Sequence, residues 1–337
     1  MLATHYPLLA TFSPPRHCHA EARPFFSAAI LRVNPAFTRT GTILIAIVLG
    51  VLLPQMHVFV WLVRWLIIGQ LFLVFLQTRM SRSSLRRSHF ILLAVNVAMG
   101  FAAWQLGRLV GGWDVGQAAF FGGITPTASA APVIMSFLHG RVEYVIASFV
   151  LTNVVIAALM PLLLPLVLGR PTPEAFGQVS GSIGLIVFGP MIAAQLLRLA
   201  WPGSVAWPPR LRNVSFGCWA TMMFLVTANA SDFIRHESTS SHHQVLLIAV
   251  VTAGVSALNF ALGWLIGGKE FHREASQSLG QKNSAFTVYL ALTYTSPLVA
   301  LGPTFYVIWH NVWNSWQLYR VDYHGPAAPA LPAERSD

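Results

Sequence analysis

The chain has 337 residues, of which 55% are hydrophobic and 9% charged, and it carries a net charge of +10. A soluble domain has about a quarter charged residues, so a water-soluble globule is excluded. The apolar runs are continuous rather than alternating with period two, which excludes a transmembrane β-barrel and leaves helices as the way to satisfy the backbone in lipid.

The basic residues stand in short segments between apolar runs, the pattern of cytoplasmic loops rather than of a nucleic-acid surface. Residues 1–35 contain proline and arginine and read as a disordered cytoplasmic tail. They lack the basic leader and sustained apolar stretch of a signal peptide. His17-Cys18-His19 reads as part of that solvated tail rather than as a metal cluster, and Cys18 and Cys218 are too far apart in sequence to suggest a disulfide framework or a metal motif.

Ten membrane spans are predicted over 36–319. A short first span, 36–53, ends at Pro54 and is followed by 57–76 and 89–110. The fourth, 115–138, is interrupted by Gly-Gly-Ile-Thr-Pro-Thr-Ala-Ser-Ala-Ala-Pro at 122–132, and the fifth, 142–168, contains Pro161 and Pro165. The sixth to eighth cover 181–199, 213–233 and 244–267. The ninth, 271–294, is interrupted over 279–286, and the tenth, 298–319, leads into a cytoplasmic tail, 320–337. With both termini inside, Arg16, Arg79, Arg86, Arg141, Arg198, Arg212, Arg273 and Arg320 are among the basic residues on the cytoplasmic face, and Arg108, Arg170 and Arg235 lie outside. The expected location is the cell (inner) membrane, as a multi-pass protein.

Five spans precede Arg170 and five follow Ser180, and in each half the fourth is interrupted. Two consecutive five-span halves insert with opposite orientation, so the expected fold is an all-α polytopic membrane protein of two inverted five-helix repeats with broken helices four and nine. Paired broken helices of this kind mark secondary transporters, because freed backbone groups at mid-membrane are tolerated where they line a site. A packing kink is the alternative for either break alone.

Thr125, Thr127, Ser129, Gln281, Lys282, Asn283 and Ser284 stand in the breaks. Lys282 is the outlier. The bilayer edge is about 15 Å from mid-span, a lysine stem covers roughly half of that, and even mild insertion scales charge about 2.5–3.5 kcal/mol for a cation there. No acid is placed near mid-membrane; Asp114 and Glu143 come nearest, at span ends. Lys282 therefore meets an anionic ligand, changes its protonation state or rests on backbone carbonyls as a structural ammonium. Arg64 reads as an interface residue. Asn96, Asn153, Asn229 and Asn259 are lone amides of the kind that glue helices together, and Asn96 is also an ion-coupling candidate. His242 and His243 read as part of a polar outside loop. Enzyme motifs are missing: no HExxH, P-loop or GxSxG occurs, so an enzyme is not expected, and no cofactor or metal is implied.

Three segments resemble the bile acid:sodium symporter family: the short opening span ended by Pro54; Pro-Thr-Ala-Ser-Ala-Ala-Pro with the following Phe-Leu-His-Gly and a long fifth span; and Gly-Gln-Lys-Asn-Ser-Ala-Phe-Thr-Val-Tyr-Leu-Ala-Leu-Thr-Tyr at 280–294. The resemblance covers about 36–319. It implies ten spans, a core domain of spans 3–5 and 8–10, a panel domain of spans 1, 2, 6 and 7, and sodium-coupled movement of organic anions. It also implies that the family's sodium-ligating Glu corresponds to Ser278 and its Gln to Lys282. The family's Thr-Ala-Ser-Asn corresponds to Ser129-Ala130-Ala131-Pro132, and its fifth-span hydroxyls to Val145 and Phe149. With those oxygens gone and a cation in their place, sodium is not expected to couple.

The expected function is secondary transport of a small organic anion. Thr125, Thr127, Ser129, Gln281, Asn283 and Ser284 would bind substrate, and Lys282, with Ser278 and Asn96, would take the ion's role. The expected partners are that anion and the lipid bilayer, with no nucleic acid. The alternative is a non-transporting membrane receptor or scaffold built on the same fold.

Overall fold

The computed structural model describes residues 35–77, 84–237 and 241–324. The expected N-terminal tail, with His17-Cys18-His19, and the chain beyond His324 lie outside the described residues. Among the described residues there is no strand. The helices are α1 (Pro35–Leu52), α2 (Leu62–Gln77), α3 (Arg87–Ile124), α4 (Ala131–Phe137), α5 (Val142–Val167), α6 (Pro173–Ile183), α7 (Gly189–Ala200), α8 (Trp207–Arg210), α9 (Arg212–Glu237), α10 (Ser241–Gly280), α11 (Ser284–Tyr294) and α12 (Pro297–His324). A π-helical turn, Gly184–Phe188, joins α6 to α7.

Five stretches are long and apolar enough to cross a membrane: Arg87–Ile124, Val142–Val167, Pro173–Ala200, Arg212–His236 and His242–Gly280. Shorter apolar helices cover Gly41–Leu52, Leu62–Leu76 and Ser284–Tyr294. The distribution of side chains matches. Leu109, Leu199 and Leu265 face outward while Asn96, Thr125, Gln277 and Lys282 are buried, an inside-out polarity that belongs to a membrane-embedded protein.

The sequence suggests short loops between 110 and 115 and between 267 and 271. The structure has tight reversals there instead, at Gly112 in the first case and between Gly268 and Phe271 in the second. Helix α3 doubles back at Gly112 (φ 83°) and α10 at Gly268 (φ 59°), each a left-handed backbone position that glycine adopts without strain. The reversal is read from close approaches. A Cβ on Gly107 would meet the Val115 carbonyl and the Gly116 backbone, groups that a straight helix would hold about 12 Å away. Ser276 Oγ donates to the Phe260 carbonyl at 2.8 Å, across a separation of about 24 Å in a straight helix.

Local signals explain the other elements. Thr172 caps α6 by accepting from the Ala175 N–H at 3.2 Å, with Pro173 in the first turn. This helix starts before the predicted 181. The π turn follows from Pro190, which has no N–H to continue the α pattern, while the Gly189 N–H reaches back to the Gly184 carbonyl. The His242-His243 pair, expected in a loop, belongs to the first turn of α10, and α12 runs past the predicted 319 to His324.

Helices α1, α2, α7 and α9 pack on one another, and α3, α4, α5, α10, α11 and α12 form a second group. The groups meet along α9–α12, α1–α12 and α2–α11, and α6 packs on α5. Arg64 on α2 is exposed.

Candidate functional site: the crossing of two interrupted helices

The first interruption is bracketed by prolines. Thr125 precedes Pro126, which disfavours helical geometry at residue 125, and Thr125 is extended (φ −47°, ψ 133°). The helix resumes at Ala131, with Pro132 in the first turn of α4. The second interruption has no proline. Gly280 ends α10 against the Phe260 ring, where no Cβ would fit, and Asn283 is non-helical (φ −82°, ψ 71°) before α11.

The two interruptions cross antiparallel, with Thr127 opposite Lys282. The Ala128 N–H donates to the Gln281 carbonyl at 2.9 Å and the Asn283 N–H to the Pro126 carbonyl at 2.8 Å. Backbone groups freed from the helices must find partners in a dry interior, and here side chains complete the set. Asn96 Nδ2 on α3 donates to the Ile124 and Thr125 carbonyls at 3.1 and 3.3 Å. The Thr127 N–H donates to Thr152 Oγ1 at 3.1 Å, and Asn153 Nδ2 donates to the Thr127 carbonyl at 2.8 Å. Thr127 Oγ1 donates to the Ser278 carbonyl at 2.6 Å, and Tyr306 OH to the Gly280 carbonyl at 2.9 Å. Thr125 Oγ1 donates to the Phe121 carbonyl and lies 2.7 Å from Thr287 Oγ1 on α11.

Lys282 sits in this crossing with 3% of its surface exposed. Its ammonium donates to Asn96 Oδ1, and its N–H donates to His310 Nδ1 at 3.5 Å. The ion pairs among the described residues are Arg141–Glu270, His57–Asp232 and His236–Asp232, all away from the crossing. The nearest acid along the second arm of α10, Glu274, accepts from the Arg141 N–H at 2.8 Å at the start of α5. The crossing thus holds a buried lysine whose hydrogen-bond acceptor is a neutral amide; in its charged form it would stabilise an anion brought beside it.

Of the sequence candidates, Asn96, Thr125, Thr127, Ser278, Gln281, Lys282, Asn283 and Ser284 come together here. Asn283 is half-buried and donates to Asn153 Oδ1 at 3.1 Å. The hydroxyls of Ser278 and Ser284 and the Gln281 Oε1 atom are buried without partners, so they are open to a ligand or to water. Ser129 is half-buried and follows Ala128 at the edge of the crossing.

Sequence reasoning missed Thr152, Thr287, Tyr306 and His310, and read Asn153 as glue. It also placed Val145 and Phe149 where the fifth-span hydroxyls would stand. Both are buried apolar residues, and the hydroxyl that reaches the first break is Thr152, one turn beyond Ser148. A gapless register from the break cannot register the turn at His139 (φ 55°) and Gly140 between α4 and α5. Even so the residues do not fit sodium. The Thr127 and Thr152 hydroxyls are engaged, no carboxylate faces the crossing among the described residues, and the Lys282 ammonium lies within it.

A separate cavity of about 370 Å³ lies between α1 and α9 on one side and α10 and α12 on the other. Its walls include Ile47, Val245 and Phe305, with Thr227, Arg235 and His242 supplying polar groups. Arg235 Nη2 donates to the Val51 carbonyl at 2.7 Å.

No protein-family model matches the chain, and no curated protein matches it as a relative. The likeness to bile acid:sodium symporters therefore rests on the three sequence motifs alone.

Proposed function

We propose that the chain is a ten-span secondary transporter of a small organic anion, built from two inverted repeats, in which the Lys282 ammonium takes the role of a coupling cation. The observation that carries this reading is Lys282, buried at the crossing of two interrupted helices with a neutral amide as acceptor.

The halves support the repeat. Each has a helix that reverses at a left-handed glycine, an interruption, a short helix and a long helix: α3, α4 and α5 in one, α10, α11 and α12 in the other. The reversal carries the same motif in both, Gly107-Arg-Leu-Val-Gly111-Gly112 and Gly263-Trp-Leu-Ile-Gly267-Gly268. The same number of residues separates Gly112 from Thr125 as Gly268 from Gln281. Counting each arm of α3 and α10 separately, with the short helices completing the second arms, gives ten spans.

Chemically, an anion bound beside Lys282 forms a neutral pair, which crosses a low-dielectric barrier far more cheaply than either charge alone. Ser278, Ser284 and Gln281 orient the anion with Thr125, Thr127, Ser129 and Asn283. The cavity between the two helix groups supports their relative motion as the alternating-access step, with α1, α2, α7 and α9 as panel. The returning empty carrier must either carry a bare cation, which favours exchange of one anion for another, or release a proton from Lys282.

The test is flux of a panel of small carboxylates and sulfonates in proteoliposomes with sodium, or with potassium in its place. Equal flux in both, abolished by Lys282→Gln, is expected. Full dependence on a sodium gradient overturns the ion-replacement reading. Saturable binding without flux of any substrate returns the receptor or scaffold alternative.

A further inference from the structure

A stripe of buried amides leads away from Lys282 in one direction. Gln277 on the second arm of α10 and Gln281, just past its end, lie one turn apart, the Gln281 N–H donating to the Gln277 carbonyl at 3.1 Å. Facing them on α12 are His310, Asn314 and Gln317, at spacings that share one helix face. Gln277 Nε2 donates to Asn314 Oδ1 at 3.2 Å and to Gln317 Oε1 at 2.5 Å. Gln277 Oε1, Gln281 Oε1, Asn314 Nδ2 and Ser278 Oγ are buried and have no protein partner. Such orphans, three of them on Gln277, Gln281 and Asn314 and the fourth beside them on Ser278, are costly when dry, and ordered water is the general means of satisfying them. Val312 and Trp316, on the other side of α12, are exposed, so the stripe lies on the inner face of the helix.

The stripe is also one-sided. Gln317 is half-buried at its outer end, about 10 Å along the helix from His310, most of the roughly 15 Å to the bilayer surface. In the opposite direction Tyr306 closes on the Gly280 carbonyl, Gly302 packs against the Ala118 backbone too closely for a Cβ, and Gly122 lies against Tyr306 and Gly302.

We propose that the seam between the second arm of α10 and α12 is a hydrated path by which water, and with it the proton, reaches Lys282 from the membrane face where α12 ends. The inference rests on the transporter reading for its purpose: it names the proton as the coupling ion and gives it one entrance. The titratable groups set against Lys282 are His310, through Nδ1, and beyond it Tyr306, whose ring lies 5.9 Å from the imidazole. Against it α3 presents Asn96, and α11 follows it with Ser284, neither of which titrates.

The path is tested by thiol accessibility in oriented membrane vesicles. Single cysteines replace Gln281, Asn314 or lipid-facing Val312 in a Cys18→Ser, Cys218→Ser background. A small charged methanethiosulfonate is added on one side, with free cysteine as scavenger on the other. A cysteine in lipid does not ionise and stays inert. Gln281→Cys and Asn314→Cys are expected to react at least tenfold faster than Val312→Cys, and only from the side where α12 ends. Adding Gln277→Leu should slow Gln281→Cys at least tenfold. Rates equal to Val312→Cys, or equal from both sides, overturn the proposal. If the cysteine variants do not fold, hydroxyl-radical footprinting of the unmodified protein replaces them: oxidation of His310 is expected, and its protection overturns the path. Both readouts report hydration alone, so a transporter without a path and a path without transport are distinguishable outcomes.

Discussion

Replacing Lys282 with methionine removes the charge and keeps most of the volume. A cation at mid-membrane costs about 2.5–3.5 kcal/mol. Its compensation is a hydrogen bond from the ammonium to Asn96 Oδ1, and charge-assisted bonds of this type are worth about 1.5–3 kcal/mol. Asn96 cannot turn to recover a donor, because its Nδ2 is held by the Ile124 and Thr125 carbonyls. The terms nearly cancel, so Lys282→Met is expected to be as stable as the parent or more stable by up to about 2 kcal/mol. That corresponds to a rise in Tm of no more than several degrees. Transport should be lost. Thermal unfolding in detergent and in lipid, beside flux in proteoliposomes, measures both. A buried ammonium matched to a buried carboxylate would behave oppositely, since removing one partner costs about 3–5 kcal/mol. A destabilisation of that size, or flux that survives the substitution, refutes the reasoning.

Gly112→Ala and Gly268→Ala should each lose about 1–2 kcal/mol from strain at positive φ alone, as a Cβ there meets open space; the Tm should fall, and Asn at either site should lose less. Gly107→Leu should be far worse, because its side chain would collide with the Val115–Gly116 backbone, and loss of folded, monodisperse protein on size exclusion measures it. Thr127→Val removes the donor to the Ser278 carbonyl and the acceptor for Thr152, so a loss of about 1–3 kcal/mol in stability is expected, with weakened anion binding by calorimetry. Arg141→Gln breaks an ion pair with Glu270 in which both side chains are 58% exposed; stability should change by less than about 1 kcal/mol.

Composition and long apolar runs made the helical class legible, and the breaks were visible because Pro126, Pro132 and Gly280 interrupt apolar sequence. Lys282 stood out because no local pattern accommodates a cation at mid-span. The reversals in α3 and α10 were not legible as such, since each is so tight that helical geometry resumes within a few residues, at Gly112 in α3 and between Gly268 and Phe271 in α10. Their signal was the repeated Gly-x-x-x-Gly-Gly, which a search for internal repeats finds and a span-by-span reading passes over. The partners of the crossing were hidden for a different reason. Thr152, Asn153, Thr287 and His310 are ordinary membrane-helix polar residues whose importance comes from long-range packing. Local sequence carries little of that information.

The tight reversals also constrain how the chain enters a bilayer during synthesis. The second arm of α3, Trp113–Ile124, is about 18 Å long, well short of a hydrocarbon core of about 30 Å. It ends in Thr-Pro-Thr, and the corresponding arm of α10 ends in Gly-Gln-Lys-Asn. Neither arm is long or apolar enough to partition into lipid as an independent segment. With so tight a connector, each must be pulled in as the return limb of the apolar arm before it, so a polar break is carried in by its neighbour's hydrophobicity. The insertion machinery should therefore handle α3 and α10 as hairpins, and a flexible linker placed at Gly112 or Gly268 should leave the second arm, with its polar break, on the wrong side of the membrane.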